Sequence, residues 1–329
     1  MPGTDATGAI MSGGPRALPG KPRSRTARLF RERCIVFSLF LCGLFSVGTT
    51  VSIIYMLASE SVHFFGLDEV GFFDFLFGLE WAPLLGSDHK FGVLPLVWGT
   101  TLVAVIAACV SIPLGLVSAV YMSEYAPRKV RAFIKPTLEI LAGIPTVVYG
   151  VFALTVITPA LQWVEKILFN PPAHESIGTF NALSAGIAVG IMTLPTVSSL
   201  SEDALGAVPR ALRQGAYALG STKFDVSVKV VVPAALSGVI ASFLLAIARA
   251  VGETMIVVLA AGGTAAFHGP LDSVQTLTAY MVQIVLGDAP HGTVEYYSIF
   301  AVGGVLFVMT MIVTLIGNQI RNRFREEYS

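Results

Sequence analysis

The apolar positions of this chain fall into long runs free of Asp, Glu, Lys and Arg, parted by shorter polar connections. The runs are Cys34–Ser59, Phe91–Ser123, Ile140–Val164, Ser176–Ser201, Val230–Ala248 and Tyr296–Ile320. A helix needs about 20 apolar residues to cross a bilayer, so the pattern predicts an all-α polytopic membrane protein with six transmembrane helices. The first run is too long for the apolar core of a signal peptide. The fifth is interrupted by charge: nineteen uncharged residues precede Arg249, and eighteen follow Glu253.

The polar connections divide the rest. Residues 1–33 hold five Gly, four Pro and seven Lys or Arg, a composition that predicts a disordered basic arm. The first transmembrane helix then occupies 34–59, an external loop 60–90, and a five-helix core 91–320. Within that core, 202–233 forms a cytoplasmic segment, and 321–329 is a cytoplasmic tail. Overall the chain is 54% hydrophobic and 13% charged, about half the charge of a soluble domain. The net charge of zero conceals a sorting by position. Eighteen of the twenty-one Lys and Arg lie in the N-terminal arm, the second–third connection, the fourth–fifth connection and the C-terminus. By the positive-inside rule these face the cytoplasm, as do both termini.

The first outer loop is acidic, with Glu60, Asp68, Glu69, Asp74, Glu80 and Asp88. Its stretch "FGLDEVGFFDFLFGLEWAPLLG" allows a short helix at the interface. Trp81 and the neighbouring Phe residues read either as an interfacial anchor or as a docking surface for an external partner.

Enzyme chemistry finds no support. A P-loop needs Lys followed by Ser or Thr, and none of the seven lysines meets that condition. No nucleophile–base constellation appears. The three cysteines and five histidines are scattered without ligand spacing, so no metal, cofactor or nucleic-acid partner is expected. Energy for any work must come from a partner.

The connection from about Glu202 to Lys229 is the most informative polar stretch. In "VPRALRQGAYALG", Pro209 suits a helix start and Gly220 a helix stop. Ser221 or Thr222 then caps a second helix leading to Pro233. A helix–Gly–helix element of this kind suits either a groove on another protein or an amphipathic connector on the lipid surface.

Here the residues carry a resemblance. ABC-importer permeases have a cytoplasmic signature: Glu-Ala-Ala, three residues, Gly, nine residues, Ile, one residue, Leu-Pro. This chain reads Gln214-Gly215-Ala216, Gly220, Val230 and Val232-Pro233 at the same spacing. Gln replaces Glu and Gly replaces the first Ala. The segments "SEYAPRKVRAFIKPTLEILAGIPTVVYG", "MTLPTVSSLSEDAL" and "ARAVGETMIVV" resemble the C-type permeases of phosphate-specific (Pst) importers, a likeness running from about Trp81 to Ile316. It implies a type I ABC importer (MetI-like) permease fold in a bacterial inner membrane. It also implies a sister permease forming a heterodimer, an ABC ATPase dimer, an external phosphate-binding protein, and inorganic phosphate as substrate. The segment holding Gln214, Gly215, Ala216, Gly220 and Pro233 would be the coupling helix that docks on the ATPase. Permeases for sulfate or molybdate are the alternative within the class. A proton-driven secondary transporter, with Glu253 titrating, is the alternative outside it.

Arg249 and Glu253 sit four residues apart, which on a continuous helix is one face. A helix starting after Pro233 carries Arg249 about 24 Å along, past the centre of a core about 30 Å thick. A charge there costs about 3 kcal/mol on insertion scales, so the pair needs a reason. One reading is an ionic clamp between helices. The other sets Arg249 on an aqueous path as a transient partner for an oxyanion, with Glu253 keeping the site near neutral. The resemblance supports the second, and Ser242, seven residues before Arg249, extends the polar stripe. Glu139 is expected to pair with Lys135. Pro145 is expected to kink the third helix, with Gly143 and Gly150 allowing close approach of another helix or of substrate.

Overall fold

The computed structural model describes residues 25–67, 70–83, 90–168, 177–287, 290 and 292–323, with side chains from residue 31 onward. The basic arm up to residue 24, the tail beyond 323, Asp68, Glu69, Asp88, His89, His174 and His291 lie outside the described residues. The chain divides into two compact units, one ending at Tyr55 and the other starting at Met56.

The first unit contributes most of α1 (Arg25–Phe65), which begins inside the stretch expected to be disordered. Its described side chains from 31 to 55 are all exposed. For an apolar helix in water that would be untenable. In a bilayer it is the ordinary state of a lipid-facing span.

The second unit holds the remaining elements: α2 (Phe72–Phe77), α3 (Leu94–Val120), α4 (Arg128–Ala142), α5 (Thr146–Phe152), α6 (Thr158–Leu168), α7 (Ala182–Ala207), α8 (Arg210–Ala218), α9 (Lys223–Asp225), α10 (Val232–Ala234), α11 (Leu236–Val251), α12 (Met255–Ala260), α13 (Leu277–Leu286) and α14 (Val294–Arg323). Single π-helical turns continue α3 at Tyr121–Tyr125, join α5 to α6 at Ala153–Ile157, and join α9 to α10 at Val226–Val231. A two-residue antiparallel ribbon, β1 (Trp81–Ala82) with β2 (Lys90–Phe91), is the strand content among the described residues.

Among the described residues, five helices are long and apolar enough to cross a membrane: Arg31–Phe65, Leu94–Tyr125, Thr146–Leu168, Ala182–Ala207 and Val294–Arg323. A sixth is made if Lys223–Ala234 and Leu236–Val251, bent by 72°, count as one. Proline and an adjacent bridge-region residue account for the bend: Pro233 has no N–H to give, and Ala235 sits at φ −93°, ψ 4°. The third span is broken, not kinked. Pro145 caps α5 with extended backbone, and α4 is a separate helix with no buried residue. Pro disfavours helical geometry in the residue before it, and Gly143 closes α4 two residues before Pro145.

The centre of the unit is α3 against α7. Glycines on both helices permit the approach. A Cβ on Gly190 would meet Val110 at 2.8 Å, and one on Gly115 would meet Val197 at 2.7 Å. Small residues at the crossing exchange side-chain bulk for backbone proximity, the main source of helix association where no hydrophobic drive exists. Gly150 likewise admits Leu259 of α12, whereas a Cβ on Gly143 would meet only its own helix. The start of α7 is satisfied by tertiary bonds. The N–H groups of Ala182 and Leu183, orphans at the start of α7, donate to Asp272 O (3.0 Å) and Pro270 O (2.7 Å).

Trp81 corrects the expectation of an anchor or docking surface. It is 6% exposed and meets Tyr280 edge-on at 4.8 Å, with Phe75 and Phe91 at 6.2 and 5.9 Å. Phe72, Phe73 and Phe77 of α2 face outward instead. The short loop helix is present, and the tryptophan beside it is core.

Candidate functional site

The apolar run carrying Arg249 and Glu253 does not continue as one helix. α11 ends at Val251, Gly252 caps it, and α12 starts at Met255. Glycine is a poor helix residue, and Thr278 Oγ1 donates to the Glu253 carbonyl (2.7 Å), holding the break from α13. The two charges therefore do not share a helix face, and no ion pair forms between them. Arg249 is exposed in the last turn of α11, where a cation complements the helix dipole. It forms no hydrogen bond or ion pair among the described residues. The Tyr149 hydroxyl donates to Leu141 O (2.7 Å). Glu253 is 8% exposed, and its Oε1 accepts from the Ile256 N–H at 3.4 Å, at the start of α12.

Ser242 lies on α11 as expected, but its hydroxyl is engaged. It contacts Ser201 Oγ of α7 at 2.7 Å and donates to Val239 O at 2.7 Å. A second serine contact, Ser198 to Ser118 (3.1 Å), joins α7 to α3. Together they are a polar seam between packed helices. The structure brings Arg249 and Glu253 to one chain break and leaves Ser242 in a helix contact about 10 Å along the axis.

At the other end of the unit, α8 carries the signature. Pro209 is its cap residue, Gly220 takes φ +80°, and the Thr222 side chain accepts from the Asp225 N–H. Gln214, Gly215, Gly220 and Pro233 are exposed, while Ala216 packs inward against the cluster of Leu205, Val208, Val226 and Val231. Beside them Leu219 is 88% exposed, with Phe224 and Tyr217 also outward.

Two charged contacts, each to a buried carboxylate, were not anticipated. Glu202 is fully buried in α7 and is held by Arg131 and by Lys135 (2.9 Å) of α4; Lys135 also reaches Asp203 (2.8 Å). The expected Lys135–Glu139 pair is absent: the Lys135 ammonium is engaged by Glu202 and Asp203 instead, and Glu139 is left exposed. Hydrogen bonds to Asp203 and then Glu202 hold the Lys135 ammonium above its ordinary pKa of 10.5. The signal was available: Ser198, Ser201, Glu202 and Leu205 lie at i, i+3, i+4 and i+7, all on the buried face. The second contact joins Arg213 of α8 to Glu124 at 3.0 Å.

Against known proteins, residues 111–326 match the family described as "Binding-protein-dependent transport system inner membrane component". The chain is 35% identical over 295 residues to "Probable ABC transporter permease protein YqgH" of Bacillus subtilis, covering 89% of this chain and 91% of that one. It is 34% identical over 257 residues to "Phosphate transport system permease protein PstC" of Xylella fastidiosa, covering 74% and 76%. A chain of the crystal structure of a bacterial alginate ABC transporter, in complex with an alginate-bound periplasmic protein, superposes with a TM-score of 0.63 at 14% identity. That match covers 92% of this chain and 100% of the other and shows the shared fold. The chain is a transport subunit and not an enzyme. With two thirds of its length matched by that family, the chain belongs to the binding-protein-dependent transport system inner membrane components, the multi-pass permeases of ABC importers.

Proposed function

We propose that this chain is the C-type permease of an ATP-driven phosphate importer in a bacterial inner membrane, with both termini cytoplasmic. The observation that carries the reading is the exposed guanidinium of Arg249, unpaired among the described residues, at a break in an apolar stretch of a chain related to a phosphate permease. A guanidinium offers planar, bidentate donors that match phosphate oxygens. Glu253, buried four residues on, limits how tightly an anion is held, so the anion passes and is not trapped. Ser242 belongs to the wall of that path through its contact with α7.

In this reading the outward face of α8 and the Gly220 turn dock on a cleft of an ABC ATPase dimer, and Gln214 takes the place of the usual carboxylate. Gly215 has open space at its Cβ position, so that face stays close to a docking partner. A sister permease, related to the "Phosphate transport system permease protein PstA 1" of Mycobacterium tuberculosis that this chain also resembles, completes a heterodimer. An external phosphate-binding protein delivers the anion. No cofactor takes part.

The test is reconstitution of the chain with those three partners in proteoliposomes, followed by labelled phosphate uptake. Uptake should require ATP and resist collapse of the proton gradient, and excess sulfate or molybdate should not compete. Preferential sulfate or molybdate uptake would assign the chain to another oxyanion. Uptake driven by a proton gradient without ATP would remove it from ATP-coupled import.

A further inference from the structure

The side chain of Arg213 projects inward from α8 and is mostly buried. Its Nη1 donates to Val208 O (2.6 Å), and its Nη2 donates to Leu205 O (2.7 Å) and to Glu124 Oε1 (3.0 Å). Leu205 and Val208 are at the C-terminal end of α7, where carbonyls lack helical partners and a cation is favoured. Glu124 sits in the π-helical turn that ends α3, its side chain 7% exposed. One guanidinium thus ties three elements: the signature helix, the end of α7 and the end of α3.

We infer that Arg213 is the positioning residue through which displacement of α8 is passed to α3 and α7. The geometry favours this over a simple anchor for three reasons. First, α8 has no fully buried residue and packs on the cluster of Leu205, Val208, Val226 and Val231 only through the partly buried Leu212 and Ala216, so the charged contact is its specific tie to the ends of α7 and α3. Second, a planar guanidinium bonded at two nitrogens to two elements transmits rotation as well as translation, which a single-point contact does not. Third, α7 continues the connection: Ser201 bonds Ser242 of α11, the helix whose last turn carries Arg249. A π-helical turn at Glu124 supplies a register-shifted segment that can absorb movement. Gln214, the next residue, faces outward. Adjacent positions on α8 therefore divide the work, one facing the partner and one facing the membrane helices.

The inference rests on the reading that α8 docks on the ATPase, and the experiment separates the two. In the reconstituted complex, Leu219→Cys in a chain with Cys34, Cys42 and Cys109 changed to Ser should cross-link to the ATPase. Failure to do so sinks the docking reading without touching the Arg213 contacts to α7 and Glu124. Arg213→Ala should leave the complex assembled and hydrolysing ATP, while phosphate moved per ATP falls at least tenfold. Arg213→Lys, which keeps the charge near Glu124 but not the fork, should recover only part. If Arg213→Ala fails to assemble, Glu124→Gln decides, because both carbonyl bonds survive in it. A lowered transport ratio with normal assembly then supports transmission. An unchanged ratio in either variant, or loss of assembly in both, makes Arg213 a fold contact only.

Discussion

Removing the cations around Glu202 should expose how a buried carboxylate is kept in this bundle. Arg131 and Lys135 are partly exposed, whereas the Glu202 side chain is 0% exposed. With Lys135→Met alone, Arg131 still faces the carboxylate, so the loss is that of one charged hydrogen bond, about 1.5–3 kcal/mol. Solvent screening at a 30% exposed lysine argues for the lower end. Arg131→Met should behave alike. Together the two changes leave an uncompensated charge inside the protein, which costs about 3–5 kcal/mol, and the pair should be coupled, not additive. Adding Glu202→Leu to the double variant removes the stranded charge and should recover most of the loss. Lys135 also fixes a pH dependence. Its pKa is raised in the fold, so its contribution is complete below 10.5 and disappears as pH rises through the folded value. Wild type and Lys135→Met should therefore converge in strongly alkaline buffer. The assay is denaturant titration of the detergent-solubilised chain, followed by tryptophan fluorescence. Additive single effects below about 1 kcal/mol, with no rescue by Glu202→Leu, would refute the claim that this carboxylate depends on its two cations.

Gly220→Leu should abolish uptake while membrane levels hold. Its Cβ would have open space, so the whole penalty comes from φ +80°, about 1–2 kcal/mol for an L-residue; Gly220→Asn, tolerant of that region, should retain activity, and equal uptake by Leu and Asn would disprove the conformational cause. Exchanging Arg249 and Glu253 should leave membrane levels near normal and labelled phosphate uptake per complex near background, since no ion pair is lost and a carboxylate replaces the guanidinium; recovery of uptake would return the pair to a structural role. A reporter fused after Arg323 should be active only as a cytoplasmic fusion, and an active external fusion would invert the proposed topology.

Local pattern was sufficient wherever one element decided the outcome. Charge-free runs anticipated the apolar helices long enough to span, five among the described residues or six with the bent pair, because the bilayer sets a length that no tertiary contact changes. Gly220 and Thr222 were legible for a similar reason: a left-handed turn and a cap are satisfied by a residue and its neighbours. The Gln214-to-Pro233 spacing was legible as well, and with it the outward face of α8.

What escaped were the partners of charges and the persistence of helices. The i, i+4 rule paired Lys135 with Glu139 and Arg249 with Glu253, yet it holds only if the helix continues and nothing better lies nearby. Lys135 found a buried carboxylate 67 residues away, and desolvation makes such a partner outweigh an exposed neighbour. The helix at Arg249 stopped because Gly252 weakens it locally and Thr278, on another helix, holds the Glu253 carbonyl. Trp81, amphipathic in sequence, became core because Tyr280 and Phe91 closed around it. The sequence by itself determined a membrane-spanning permease and the outward-facing helix that carries the signature spacing. Tertiary packing alone decided which charges face each other, since burial, not sequence distance, sets the strength of an ionic contact.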